Sequence, residues 1–461
     1  MSLLNFNNFY LVGIKGVAMT SMAQLLIDAN KKVSGSDLKE EFVTQEILNK
    51  LKIDIDTDFN TLLPEKTECV IYTAAHQAKH NPQVKKAIDK NIPVISQAEA
   101  VAELFNSKQG IAVCGVGGKS TVSAMIAWIL EKLGHQPSFS IGVGNIPGLN
   151  KTGQWNNQSK YFVIEADEYV INPERGINAT ARFSFLKPNL TICTNLKFDH
   201  PDVYRDFKHT QQVFNNFFTQ TTGKLIINYQ DLNKLIDQTI PILSFGEDSK
   251  ADICLKNYQS QRGETTTKLK YLNQNYQLKL KIPGKYNVMN ALAAILAVTQ
   301  IKIDPQQAID ALYTFHSTKR RFEYVGEKNG VKYYDDYAHH PHEIEAVITA
   351  LNDWYPHQRK IIAFQSHTYS RTKKLFNDFI NAFQKADEVL MIDVFSSARE
   401  NVDPLVTSTK LCKAIETKYK IPSHNLKTIE NLAKYCKDKL EAGDVIITIG
   451  AGDIYQVHEL I

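Results

Sequence analysis

Short apolar runs alternate along the chain with stretches that carry an apolar side chain every third or fourth place, the signature of alternating strands and helices. Residues 9–14 form the first run, punctuated by Gly13 and Gly16, and residues 17–29 follow with Met19, Met22, Ala23, Leu26 and Ile27 at helical spacing. This predicts strand, turn and helix. Further strands are predicted at 32–35, which ends in Ser36-Asp37, at 69–73 and at 93–96, with a helix opening at Pro82. Together they make a βαβ unit of nucleotide-binding type.

Polar residues and a glycine, Asn106-Ser107-Lys108-Gln109-Gly110, then interrupt the pattern and suggest a boundary near residue 108. Strands are predicted at 111–114, 161–165 and 189–194, with a helix at 120–133. A strand at 225–228 and the alternation within 263–282, as in Lys268-Leu269-Lys270-Tyr271-Leu272, suggest an antiparallel β addition, which a helix at 287–299 closes. From Ser317 onward strands are predicted at 331–334, 360–364, 388–394 and 444–449, and helices at 341–354 and 371–385. The fold class expected is α/β in three domains. These are a Rossmann-like domain at 1–107, a central P-loop ATPase-type α/β domain with the antiparallel addition at 108–316, and a second Rossmann-like domain at 317–461.

Length agrees with this division, since 461 residues at about 150 per domain give about three. With 43% hydrophobic and 22% charged residues the composition is that of a soluble globular protein, which excludes disordered and fibrous classes. A net charge of +4 is too small a surplus to argue for nucleic acid or a membrane surface. No run approaches the roughly 18 apolar residues a membrane span needs; the segment Ala291 to Val298 reads as a buried helix. The N-terminus lacks the basic, apolar and small-residue sections of a signal peptide, so a cytoplasmic location is expected. The six cysteines show no CxxC spacing and read as reduced, mostly buried thiols.

The strongest chemical signal is Ile111-Ala-Val-Cys-Gly-Val-Gly-Gly-Lys-Ser-Thr121, a strand, a glycine-rich turn and a helix start. Backbone N–H groups in such a turn face anionic oxygens, Lys119 adds a mobile positive charge, and the Ser120 hydroxyl suits Mg²⁺. Its spacing is tighter than the full GxxxxGK[ST]. Next, Tyr161-Phe-Val-Ile-Glu-Ala-Asp-Glu168 ends a buried strand in three carboxylates, of which Glu165 is the candidate metal ligand. The bland alternative is a solvated acid cluster beside helix N-termini. Thr194-Asn-Leu-Lys-Phe-Asp-His200 ends the following strand, where His200 would either ligate a second metal or orient a reacting group.

Lys319-Arg320-Arg321-Phe322-Glu323 is a basic run whose ordinary reading is a solvated face and whose sharper reading is a hinge arginine reaching a γ-phosphate. Tyr334-Asp335-Asp336-Tyr337-Ala338-His339-His340-Pro341 ends a strand; adjacent ligands rarely converge on one zinc, so ribose or substrate contact is the reading. In Gly13-Ile-Lys-Gly-Val-Ala18, with Asp37 beyond the next strand, Lys15 and Ala18 take glycine positions and the dinucleotide fingerprint fails. A diphosphate at that helix start and a purely structural turn both remain open.

In order, these motifs resemble those of the Mur ligase family over nearly the whole chain. The landmarks are VGIKGVAM, SGSDLKE, GVGGKST, EADEY, TNLKFDHPDVY, GKYNVMNALAA, KRRFEYVG, DDYAHHPHEI, QSHTYSRT and IGAGDI. The resemblance implies an ATP- and Mg²⁺-dependent ligase of peptidoglycan precursor synthesis. It would join an amino acid, with L-alanine the expected one, to the carboxylate of UDP-N-acetylmuramate through an acyl phosphate. The N-terminal domain would hold the UDP-sugar at Gly13, Gly16 and Asp37. Gly115, Gly117, Gly118, Lys119, Ser120 and Thr121 would take ATP, with Asn287 at adenine, Arg321 at phosphate and Asp336 at ribose. Ser120, Glu165 and His200 would serve metal, Lys119, Glu165, His200 and Arg321 would be catalytic, and Tyr337, His367 and Arg371 would face the amino acid. No nucleic-acid or membrane partner is expected, and the assembly would be a monomer or homodimer. Two departures stand out: Gly117 replaces a frequent histidine, and Thr368 lies where alanine-adding members carry arginine. Rival readings are a recycling ligase that attaches a tripeptide to the same sugar, and a P-loop kinase or ATPase.

Overall fold

Among the described residues five short strands form the first sheet, in the order Ile55–Asp56, Lys32–Ser36, Asn8–Val12, Cys69–Tyr72, Val94–Ser96, with every neighbouring pair parallel. Parallel sheets carry helices on their faces, which is why Phe9 to Val12 are all buried. The computed structural model describes residues 2–236, 239–395 and 402–461. Among those residues the second sheet has ten strands. Its parallel centre sets Lys224–Asn228, Leu190–Cys193, Gln109–Cys114, Tyr161–Glu165 and Ser138–Ser140 side by side. Ile253–Gln261, Glu264–Tyr271 and Gln274–Leu280 continue it at one edge; connections this short between neighbouring strands permit only antiparallel pairing. The third sheet runs Glu323–Lys328, Val331–Asp336, Val445–Ile449, Lys360–Phe364, Glu388–Ile392, Ser423–Lys427, parallel except for its first pair.

The chain divides into two compact units, one of residues 1–256, 268–277 and 289–319, the other of 257–267, 278–288 and 320–461. The first sheet and the parallel centre of the second share the first unit and one hydrophobic core, in which Phe105 meets Phe162 with ring centroids 5.7 Å apart. The third sheet has a separate core on each face in the second unit. Ala291 to Val298 are wholly buried, as the apolar run predicts. All six cysteines are free and buried. No helix among the described residues is long and apolar enough to cross a membrane.

Several boundaries differ from the sequence reading. The expected linker at 106–110 is mostly regular structure: Asn106 ends helix Gln97–Asn106, and Gln109 and Gly110 begin strand Gln109–Cys114. Gly110 interrupts the polarity pattern because any Cβ there would press into the Phe105 ring at 2.2 Å. The single helix expected at 371–385 is two, Tyr369–Lys374 and Phe376–Ala382, separated at Leu375, whose φ of −107° and ψ of 22° leave the helical region. The strand predicted at 331–334 runs on as Val331–Asp336, so both of its terminal acids are strand residues.

Within the first unit, helix Val17–Asp28 of the first sheet is fastened to the strand region of the second. Gln24 Oε1 accepts hydrogen bonds from Thr152 N at 3.0 Å, Thr152 Oγ1 at 3.0 Å and Gly153 N at 2.8 Å. Gln24 is buried, so truncating its amide strands three donors away from water. Gln24→Leu is expected to destabilise the first unit by about 2 kcal/mol or more. Chemical denaturation of the two proteins checks this; coincident unfolding curves would refute it.

Candidate active site

Parallel register assembles the first cluster. Val113 pairs with Glu165, and Cys114 with Cys193, so the glycine turn after Cys114 lies between the ends of two acid-bearing segments. Gly115 (φ 121°) and Gly118 (φ 85°) adopt left-handed backbone. A Cβ on Gly115 would meet Thr194 Oγ1 at 2.2 Å, and one on Gly118 would meet Asn290 Oδ1 at 2.6 Å, so only glycine fits either place. The turn feeds helix Lys119–Lys132, whose first-turn N–H groups at Lys119, Ser120 and Thr121 have no partner inside the helix. Ser120 Oγ donates to Glu165 Oε1 at 3.0 Å, and Gly142 N donates to Glu165 Oε2 at 2.8 Å. A hydroxyl and a carboxylate converging at the foot of a phosphate-type turn are the oxygen donors a hard divalent cation prefers.

Two loop N–H groups go elsewhere than the sequence reading placed them. Val116 N and Gly117 N both donate to Asn195 Oδ1, at 3.0 and 3.4 Å, while Asn195 Nδ2 donates to Gly117 O at 2.9 Å. Thr194 Oγ1 also donates to Gly117 O, at 2.5 Å. The polar pair after strand Leu190–Cys193 therefore holds the curl of the loop. Sequence reasoning missed Asn195, although its place at the end of the strand beside the loop was a usable signal.

Lys119 Nζ sits 2.6 Å from Gly115 O and 3.0 and 2.9 Å from the two Glu168 oxygens. Burial alone would lower its pKa, but the charges of Glu168, Asp167 and Glu165 reverse that and raise it, so the ammonium stays charged. Glu168, only 2% exposed, is a second residue the sequence reading passed over. His200 Nε2 lies 3.4 Å from Glu168 Oε1 and 3.8 Å from Asp199 Oδ2, which ties the expected second-metal residue to the same acids. Asp167 pairs with Arg182 at 2.7 Å. Burial opposes its ionisation, yet Arg182 and Lys119 hold the carboxyl below its ordinary range.

The second unit gathers another set. Asp336 Oδ2 accepts from Phe322 N and Oδ1 from Ala338 N, each at 2.7 Å. Burial pushes this carboxyl up to about 6, against the pull of Arg321 and those two N–H groups. The Arg321 guanidinium lies 5.1 Å from the centre of the Tyr337 ring. The basic run is no solvated face at its middle residue. Arg320 is 7% exposed, pairs with Asp335 at 2.9 Å, and donates to Gly450 O at 2.6 Å and Gly452 O at 3.2 Å, so it anchors the strand ends. Asn287 is buried and donates through Nδ2 to Pro283 O at 2.7 Å. Its neighbour Tyr286 has a buried hydroxyl with no hydrogen-bond partner among the described residues. His367 stacks on Phe395, with ring centres 5.5 Å apart, and Arg371 Nη1 is 3.5 Å from His367 O.

In the first sheet Gly13 (φ 85°) must be glycine, since a Cβ would meet Thr73 Cγ2 at 2.4 Å. Gly16 caps helix Val17–Asp28. Asp37 is buried and accepts from Lys15 N at 2.7 Å and Leu38 N at 2.8 Å.

The chain matches the Mur ligase family, catalytic domain, over residues 8–109, the Mur ligase middle domain over 113–298, and the Mur ligase, glutamate ligase domain, over 320–452. It is 32% identical over 457 residues to UDP-N-acetylmuramate–L-alanine ligase of Desulfitobacterium hafniense (strain Y51), covering 98% of each chain. It is 35% identical over 462 residues to the protein of the same name in Clostridium kluyveri, covering 98% of this chain and 97% of the relative. The crystal structure of UDP-N-acetylmuramate-alanine ligase from Thermotoga maritima superimposes with a TM-score of 0.80 at 24% identity, covering 98% and 97% of the two chains. At that identity the likeness speaks for the fold.

Because Lys119 and Glu168 are a buried pair, each depends on the other. Removing one partner of such a pair typically costs about 3 kcal/mol or more, and removing both much less. Glu168→Leu is expected to lower the melting temperature sharply and Lys119→Met to restore most of the loss in the double variant. Additive losses measured by calorimetry would show that the two charges do not interact.

Proposed function

The chain belongs to the Mur ligase family, and from that premise we propose that it joins L-alanine to the carboxylate of UDP-N-acetylmuramate while ATP is converted to ADP and phosphate. The observation that carries the ATP step is the meeting of Lys119, Ser120 and Glu165 at one curled glycine turn. A carboxylate is a poor acyl donor. Transfer of the γ-phosphoryl group to the sugar's carboxylate gives an acyl phosphate, and attack by the alanine amine then forms the amide and expels phosphate.

The residues divide the work by charge. N–H groups at the start of helix Lys119–Lys132 and the Lys119 ammonium would receive the triphosphate of ATP. Ser120 and Glu165 would hold Mg²⁺, and their existing contact shows donors of the right hardness side by side. Bound there, the ion would neutralise phosphate oxygens. His200, positioned by Glu168, would stand at the second metal or orient the reacting carboxylate. In the second unit Arg321 would meet phosphate, Asp336 the ribose, and Asn287 the adenine, while Tyr337, His367 and Arg371 would face the amino acid. Gly13, Gly16 and Asp37 would face the sugar nucleotide. The corresponding domains are 1–107, 108–316 and 317–461.

The test is phosphate release by purified protein with ATP, Mg²⁺ and UDP-N-acetylmuramate against the twenty amino acids and a tripeptide. L-alanine is expected to trigger release and an amide product. Release only with the tripeptide would favour the recycling reaction, and silence with every acceptor would remove the ligase reading. Since Asp336 is held near 6, its charged form dominates only above that pH. ATP affinity is therefore expected to climb as pH rises through about 6 and then level off, with the rise absent in Asp336→Asn; an identical profile in the variant would take Asp336 out of the nucleotide site.

A further inference from the structure

In parallel sheets ligands lie outside the carboxyl ends of the strands, where the strand order reverses. In the first sheet Asn8–Val12 pairs with Lys32–Ser36 on one side and Cys69–Tyr72 on the other. The reversal therefore falls between the turn after Val12 and the segment after Tyr72. Lys15 is the cation that chain position brings to this turn, but its ammonium is engaged elsewhere. Nζ donates to Leu38 O at 2.7 Å and Glu40 O at 2.8 Å, and the residue is 5% exposed. The amides of the turn are committed too: Gly13 N and Ile14 N donate to Ser36 O, Lys15 N to Asp37, and Gly16 N to Gly13 O.

The side chain that does stand at the reversal is His76. A Cβ built on Gly13 would lie 3.2 Å from His76 Cδ2, which puts the ring against the turn. Nε2 is 3.4 Å from Asp37 Oδ1, and the ring packs on Phe59 with centres 5.0 Å apart. Nδ1 makes no hydrogen bond with a described residue. The backbone that delivers the ring is costly: His76, Gln77 and Ala78 have φ of 51°, 66° and 47°, three consecutive left-handed residues without a glycine. Such strain persists only where the surroundings over-determine it. Here Asn81 Nδ2 holds His76 O at 3.2 Å.

We propose that His76, backed by Asp37, is the side chain that grips the diphosphate of the sugar nucleotide, with Nδ1–H donating to a phosphoryl oxygen. The inference rests on the reading that this sheet takes UDP-N-acetylmuramate. A carboxylate at Nε2 favours a hydrogen there, and an anionic ligand at Nδ1 favours one on that side as well, so the diphosphate and Asp37 would share the imidazole between them. Asp37 is then a positioning residue, acting through the ring.

The test is titration calorimetry of the full chain with UDP-N-acetylmuramate, UDP and uridine, comparing wild type, His76→Phe and His76→Gln. His76→Phe is expected to weaken UDP and the sugar nucleotide roughly ten- to a hundredfold, the range for a lost charge-assisted hydrogen bond. Uridine, which has no phosphate, is expected to bind all three proteins alike, and His76→Gln, which keeps an N–H donor, to recover part of the loss. Equal ATP binding in every protein reports an intact fold. Undiminished UDP affinity in His76→Phe would overturn the proposal, as would an equal loss for uridine. A wild-type chain that binds ATP but not the sugar nucleotide would remove the reading beneath it and the proposal together.

Discussion

The parallel register of three strands in the second sheet is the constraint on which the first cluster depends. Because Val113 pairs with Glu165 and Cys114 with Cys193, the ends of Gln109–Cys114, Tyr161–Glu165 and Leu190–Cys193 finish at the same level. One strand then releases a glycine turn, the second its acids, and the third Thr194 and Asn195. A slip of one residue in any of them would turn each side chain to the opposite face. Ser120 and Glu165 would then be parted, and Thr194 would no longer sit against Gly115. The apolar burial of these strands fixes the register, so the core and the chemistry are set by the same residues.

That arrangement concentrates charge. Glu165, Asp167 and Glu168 crowd one strand end, and together they hold Lys119 charged despite its burial. Burying charges is costly unless they are paired and hydrogen-bonded, and here Arg182 and Lys119 meet two of the three acids directly. Asn195 does the same service for the uncharged loop, taking two N–H groups that would otherwise face water or a ligand. The turn is thus formed in advance, and a triphosphate entering it would meet donors already in place at the start of the helix.

What could be read from the sequence followed the strength of local signals. The strands at 161–165 and 360–364 and the helix at 341–354 carry clean periodicity and were predicted with the bounds observed. The missed helix Gln97–Asn106 announces itself by a capping box, Ser96 with Glu99, that the apolar pattern alone does not reveal. Glu165 was legible because a buried strand delivers it. Glu168 and Asn195 were not, because their roles come from partners far along the chain: Lys119 lies 49 residues from Glu168, and the loop lies 78 residues from Asn195. Arg320 and Arg321 show the same limit. Side by side in a basic run, they differ because one strand-end carboxylate, Asp335, claims the first.

Position 368, where the resemblance implies an arginine, carries its own physical consequence. Thr368 has φ 70° and ψ 136°, a conformation that a β-branched residue rarely adopts. It is held from both sides, since its N donates to Phe395 O at 3.1 Å and its O accepts from Thr372 Oγ1 at 2.6 Å. The strained backbone therefore does not require an arginine side chain to maintain it, and a threonine can occupy it without the loop changing course. On the proposed reading, one guanidinium, Arg371, then meets the acceptor's carboxylate. A single planar fork suffices to bind a carboxylate in two hydrogen bonds, but every amino acid has that group. On that reading, discrimination among acceptors passes to the other residues placed at the amino acid, Tyr337 and His367, whose ring is fixed by stacking on Phe395.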